Sequence, residues 1–343
     1  MRSPQRTPPV RPRAPGRAIG ALSLAACTLA ACAPLSTEAP GTMVPPTADQ
    51  DPALPQLRVT VAGHARTLHL HRFGDPARPP LLVLPGGPGA DFRLMLPLRA
   101  LADRYHVVMW DPRGAGLSER VPAAELTLDA SLEEIAAVQA AVAPGRRATL
   151  VGHSFGGRLF AAYTARHPDV VAQLVLVEPG ALVTPAPRDY EGGRLPFDVA
   201  EDFFWQNELL TSRDHAAADY KAVTALPGAS GSFTCDGRPP AAYPMWRFGA
   251  FHHHVLTHTG HAPGRHFAWT AGIERFAPEV LVVAGTCGAL RAVVQRRYAM
   301  PALPRARLVE VPGAGHLSIF LDHADALLAV LRAHLDAYRG ATP

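Results

Sequence analysis

Short apolar runs, set apart by longer stretches of helical period, constrain this chain more than any other feature. Leu81–Leu84, His106–Trp110, Thr149–Val151, Gln173–Val177, Val280–Ala284 and Arg307–Val311 are three to five residues long and mostly apolar. Runs of that length and composition suit strands covered on both faces. Between and after them, Phe92–Asp103, residues 127–143, Phe155–Arg166, Arg291–Met300 and Phe320–Tyr338 carry apolar residues at helical spacing. Strand–helix alternation predicts a mostly parallel central sheet flanked by helices. Ahead of it, Leu57–Ala62 and Thr67–Phe73 alternate as antiparallel strands do. The rhythm lapses over residues 181–272, which are richer in aromatics, Gly and His. That stretch is expected to be an inserted cap, leaving a core of residues 57–180 and 273–343.

The first 56 residues read differently. Arg2, Arg6, Arg11, Arg13 and Arg17 precede a small, apolar stretch at residues 18–31, and Cys32 follows. Basic, then apolar, then small is the order of a secretory signal, and fourteen residues are too few for a membrane span, which needs about 20. Leu29-Ala30-Ala31-Cys32 resembles the bacterial lipobox, which implies a diacylated Cys32 at the mature N-terminus and a lipid anchor in the cell envelope. Leu24-Ala25-Ala26-Cys27 is a second match with a shorter apolar stretch before it. Residues 32–56, with six prolines after Cys32, read as a semi-extended tether. Five of the 33 Lys and Arg lie in the leader with no acidic residue beside them. The remainder nearly balances the 29 Asp and Glu, so a nucleic-acid partner is not expected.

Chemistry concentrates in four places. Gly152-His153-Ser154-Phe155-Gly156 follows a buried run and opens a helix. G-x-S-x-G in that context is a nucleophile elbow: the serine sits on a strained turn, and small neighbours let the backbone approach. An elbow needs an oxyanion hole, with one donor on the residue after the nucleophile and another after an earlier strand. Those are the backbone N–H groups of Phe155 and of Gly87, within Pro85-Gly86-Gly87-Pro88-Gly89. A general base is expected near the C-terminus, and His316 ends Pro312-Gly313-Ala314-Gly315-His316 just past the last strand.

Together with Asp111-Pro112-Arg113-Gly114-Ala115-Gly116, these motifs resemble the α/β-hydrolase superfamily from about residue 57 to 340. The branch most similar is the proline iminopeptidase-like one, whose oxyanion loop reads His-Gly-Gly-Pro-Gly where this chain begins with Pro85. The resemblance implies an α/β-hydrolase fold with an inserted cap. It also implies an Asp near position 288, after strand 280–284, where this chain has Gly288. Losing the acid's polarity costs about 10⁴ in kcat, or roughly 5 kcal/mol, so a substitute is expected. Glu178 is the leading candidate, because its strand should adjoin strand 280–284 and end at the same edge. Asp236, beside Cys235, is the second. Asp322 and Asp325 follow His316 against the usual order, and Glu279 stands at the wrong end of its strand.

Cys235 and Cys287 are the cysteines outside the leader. Export permits a disulfide between them, which closes a loop of about 52 residues and contributes roughly 4 kcal/mol in the chain-entropy model. His252, His253, His254, His258, His261 and His266 crowd the cap, with His254 and His258 at helical spacing. No Cys or acidic residue completes a ligand set, so packed or solvated histidines are expected, with no metal and no cofactor. The resulting expectation is a monomeric, envelope-anchored serine hydrolase acting on a small ester or amide. Phe203, Phe204, Trp205, Trp246 and Phe248 are available to line its pocket. The alternatives are an aminopeptidase of the proline iminopeptidase sort, using Glu201, Asp202 or Glu208 to hold an ammonium, and a non-catalytic surface lipoprotein with a degenerate triad.

Overall fold

A computed structural model describes residues 44–183, 215–229, 233–237, 244–257 and 267–339. The leader with Cys27 and Cys32, the cap residues Glu201, Asp202, Phe203, Phe204, Trp205 and Glu208, and the histidines 258, 261 and 266 lie outside them.

Eight strands form one sheet: β1 (Gln56–Val61), β2 (His64–Phe73), β3 (Pro80–Leu84), β4 (His106–Trp110), β5 (Ala148–His153), β6 (Val171–Val177), β7 (Val280–Gly285) and β8 (Ala306–Val311). Their spatial order is β1-β2-β4-β3-β5-β6-β7-β8. The first two are antiparallel to their neighbours, and β3 to β8 run parallel. Every residue of β3, β4, β5 and β7 is buried. The edge strand β8 is only partly buried, and its Arg307 and Glu310 keep that edge charged.

Successive residues of a strand face opposite sides of the sheet. Leu82, Leu84, Val108, Trp110, Leu150 and Leu174 therefore pack on one side with α1 (Leu128–Val142) and α2 (Phe155–Arg166). Leu81, Val83, Val107, Met109, Val175 and Val283 pack on the other, against Phe92–Asp103 and the closing helix. Each such side chain contributes roughly 1.5–3 kcal/mol on burial.

Three local features depart from the sequence expectation. Phe92–Asp103 is a 3₁₀ rather than an α-helix, with Pro97 inside it; proline has no N–H to donate to a regular helical ladder. The closing helix begins at Ala324 rather than near residue 320. Before it, Ile319 N–H donates to Gly315 (3.0 Å), while the fully buried Phe320 anchors the turn. Within the stretch read as a tether, Thr47 and Ala48 are buried, and the Ala48 N–H donates to Leu117 O at 2.7 Å. Packing against the domain thus begins by residue 45, not at 57.

Between β6 and β7 the chain contributes α3 (His215–Ala229) and α4 (Ala250–Thr257). A buried ion cluster ties both to the core. The Asp219 carboxylate, fully buried, accepts from Arg120 (2.8 Å) and Arg247 (2.7 Å), and from the Ala250 N–H at 2.9 Å. Arg247 also donates to Pro45 O at 2.9 Å. Removing one member of a buried cluster leaves the others uncompensated. Asp219→Ala is therefore expected to cost about 3–5 kcal/mol and to lower Tm by on the order of 10 °C, measurable by thermal denaturation. A shift below about 2 °C would show that the cluster does not hold this region.

Candidate active site

At the C-terminal end of β5 the chain turns sharply into α2, and Ser154 occupies the turn at φ 53°, ψ −118°. A positive φ is costly for a non-glycine residue and persists only where surroundings impose it. Here the Ser154 N–H donates to Val177 O (3.1 Å), and the Gly156 backbone lies so close to the carbonyls of Leu84 and Pro85 that no side chain fits. The hydroxyl-bearing Cβ is thereby presented at the sheet edge, half-buried.

The loop after β3 lies over it. A Cβ on Gly86 would stand 2.7 Å from that of Ser154. Gly87 has φ 116°, in the region that favours glycine. Helix α4 supports this loop from outside: His253 Nδ1 lies 2.8 Å from Pro88 O, and Gly249 N–H donates to Gly89 O at 2.8 Å. The buried Asp91, which caps the 3₁₀ helix after the loop, accepts from the N–H groups of Arg93 (3.0 Å), Trp246 (2.5 Å) and Arg247 (3.0 Å). Burial, with Asp111 nearby, raises its pKa well above the ordinary carboxyl value. Asp111 accepts the N–H groups of Phe92 (2.9 Å) and Leu117 (2.8 Å) and meets His69 Nδ1 at 2.8 Å. The Asp111–Gly116 motif thus organises the loops around the edge.

Glu178 follows β6, itself at φ 43°. β6 pairs with β7 through Val175–Leu281, Leu176–Val282 and Val177–Val283. The Glu178 N–H donates to Val283 O at 2.8 Å. Its carboxylate turns inward, fully buried: Oε1 accepts the Gly285 N–H at 2.7 Å, and Oε2 lies 2.7 Å from His316 Nδ1. His316, 4% exposed, is held through its N–H to Phe233 O (3.0 Å), and His153 Nε2 stands 3.1 Å from His316 O. The two imidazole centroids are 4.3 Å apart.

Of the other carboxylates considered, Asp236, Asp322 and Asp325 are exposed, and Glu279 pairs with Arg307 at 3.0 Å. Gly288 stands in the β7–β8 loop at φ 80°. Cys235 and Cys287 are joined by a disulfide, with Cα atoms 4.9 Å apart. His252, His253 and His254 are buried in α4. Among the described residues, no group of three or more His, Cys, Asp or Glu could hold a metal ion.

Burial governs the electrostatics of the pair. It pushes the Glu178 carboxyl up to about 8, partly offset by the Gly285 N–H, and pulls His316 down to about 3. Desolvation disfavours charge on either partner, so the state with a carboxylate beside a neutral imidazole, net charge −1, accepts one proton readily. That titration belongs to the pair rather than to one residue.

The sequence reading missed Asp91 and Phe233, and gave His153 and His253 no part in the site. They act through contacts across the fold, and no local pattern marks them.

A serine on a strained strand-to-helix turn, a glycine loop beside it, and a His–carboxylate pair at the same sheet edge define a nucleophile-elbow architecture. Residues 79–323 match the alpha/beta hydrolase fold family, and the chain belongs to it. A proline iminopeptidase of Heyndrickxia coagulans is 33% identical over 144 residues, 40% of this chain; the chain spans 50% of that relative's length. In fold it is similar to the crystal structure of a membrane phospholipase A (TM-score 0.56, 23% identity, 83% of this chain and 86% of that one). It is likewise similar to proline iminopeptidase of Mycobacterium smegmatis (TM-score 0.53, 20% identity, 83% and 99%).

Proposed function

We propose that this chain is a serine hydrolase that cleaves a small ester or amide through an acyl-enzyme on Ser154. The observation that carries this reading is the buried His316 Nδ1–Glu178 Oε2 contact at 2.7 Å, beside a serine held at positive φ on the same sheet edge. Glu178 fixes the imidazole with its Nδ1 proton inward, which leaves Nε2 unprotonated as the base. His316 takes the Ser154 proton as Oγ attacks the carbonyl carbon. The N–H groups of Gly87 and Phe155 hold the developing oxyanion. The proton then passes from His316 to the leaving alcohol or amine, and the acyl group remains on Ser154. Water, deprotonated by His316, releases the acid and restores the serine.

The segment between β6 and β7 is read as a cap that shapes the pocket and limits water. A second reading, aminopeptidase action of the proline iminopeptidase sort, is supported by the relative from Heyndrickxia coagulans, while Pro85 at the head of the oxyanion loop departs from that branch. Export as a lipoprotein anchored through Cys32 to the cell envelope, with the folded part a monomer, is part of the proposal. The basic-apolar-small leader and the Cys235–Cys287 disulfide support export.

A fluorophosphonate probe tests the reaction class. Labelling of the wild type is the expected result, and no labelling of the folded protein would favour a non-catalytic lipoprotein. A panel of p-nitrophenyl esters and aminoacyl p-nitroanilides then separates esterase from peptidase. The pH profile is a further check. The base works only while the pair carries net charge −1, so kcat/KM is expected to fall as pH drops through the region of 8, where burial has moved the carboxyl. A profile flat from pH 9 to pH 6 would contradict the raised titration.

A further inference from the structure

The segment 233–237 crosses the sheet edge beside the β7 and β8 loops, and the Cys235–Cys287 disulfide fastens it there. Its Phe233 ring stacks on the His316 imidazole, with centroids 4.8 Å apart and planes 30° apart, and the Phe233 carbonyl accepts the His316 N–H at 3.0 Å. Phe233 is itself 8% exposed. The same segment bears on two glycines. A Cβ on Gly315 would come within 2.9 Å of Phe233 O. A Cβ on Gly288, at φ 80°, would lie 3.2 Å from Phe233 O and 3.3 Å from its carbonyl carbon. A carboxylate-bearing residue at 288 would therefore meet fixed backbone as well as a strained φ.

We propose that Phe233 is a positioning residue for the His316–Glu178 pair, and that its disulfide-fastened segment occupies the ground on which an acid at position 288 would stand. This rests on the reading of His316 as the general base. The Phe233 ring does two things for the imidazole. It keeps water from one part of the ring, so that Glu178 remains the partner of Nδ1. It also presents an aromatic face to the imidazolium that forms while Ser154 is being acylated, and an aromatic face attracts a desolvated cation. The Phe233 carbonyl fixes the backbone from which His316 projects, and the disulfide fixes that carbonyl.

The test uses Phe233→Leu, which keeps an apolar side chain and loses the ring, and Phe233→Tyr, which keeps the ring. Two quantities are read: kcat and KM on the best ester, and the pH titration of the downfield proton resonance of the His316–Glu178 hydrogen bond. Phe233→Leu is expected to lower kcat about tenfold with KM changed less than about twofold. It is also expected to move the titration to lower pH, because water reaching the pair relieves its desolvation. Phe233→Tyr is expected to keep both values near wild type. Reducing the disulfide of the wild type with dithiothreitol is expected to move the titration in the same direction, and needs no variant to fold. A resonance that titrates identically in wild type, folded Phe233→Leu and reduced wild type would overturn the proposal, even in an active enzyme. A resonance that moves as expected in a protein inert to fluorophosphonate would leave the positioning role standing and sink the hydrolase reading instead.

Discussion

Ser154→Ala is expected to abolish fluorophosphonate labelling and to lower kcat on the best ester by about 10⁶-fold, the scale set by loss of the nucleophile in a serine hydrolase. The expectation follows from how the residue is held. Its φ of 53° is imposed by the hydrogen bond to Val177 and by the close passage of Gly156 under the β3 loop, not by the side chain. Alanine accepts the same backbone, so the variant should keep its fold and melt within about 2 °C of wild type. Binding of a product or unreactive substrate analogue should persist, which separates lost chemistry from lost structure. Retention of more than about 1% of kcat would mean that another group attacks, and the assignment of Ser154 would fall.

Glu178→Gln is the second large effect. The amide fits where the carboxylate stood but cannot stabilise the imidazolium, and it favours the wrong tautomer by offering an N–H to Nδ1. A loss of about 10⁴ in kcat, roughly 5 kcal/mol of transition-state stabilisation, is expected with KM little changed. The raised pH limb should go with it, since the pair that burial makes ready to take up a proton near pH 8 has lost its carboxylate. Adding Gly288→Asp to this variant should not restore turnover, because the Phe233 carbonyl stands 3.2 Å from where its Cβ would be. Full activity in Glu178→Gln, or rescue from position 288, would show that the 2.7 Å contact with His316 is structural.

Much of the architecture was legible because the signals are local. Apolar runs of a few residues gave the parallel strands, and the helix Phe155–Arg166 coincides with its expected bounds. Gly–Pro punctuation placed Gly87, Ser154 and His316 at strand ends, and parallel strand ends share an edge by construction. The contact of Glu178 with His316 could be anticipated because two strands were expected to adjoin, and β6 and β7 do. What stayed illegible depends on long-range contact. Nothing near Phe233 in the chain announces that it will lie on a histidine 83 positions later. Asp91 resembles an ordinary helix cap until Trp246 and Arg247 arrive from the far side of the inserted segment. Composition also misled: proline-rich residues 45–48 look like spacer, yet a backbone bond to Leu117 and the Arg247 guanidinium hold them down.

The position of Glu178 has a consequence for how the site is put together. Ser154 and Glu178 terminate β5 and β6, which with α2 make up a single crossover unit joined along its length by backbone hydrogen bonds. His316 arrives only after β8, the outermost strand, whose flank is partly solvated. During synthesis, two members of the trio are laid down together long before the third emerges from the ribosome. Under the proposed mechanism the base therefore joins the site only when β8 and the loop after it are in place.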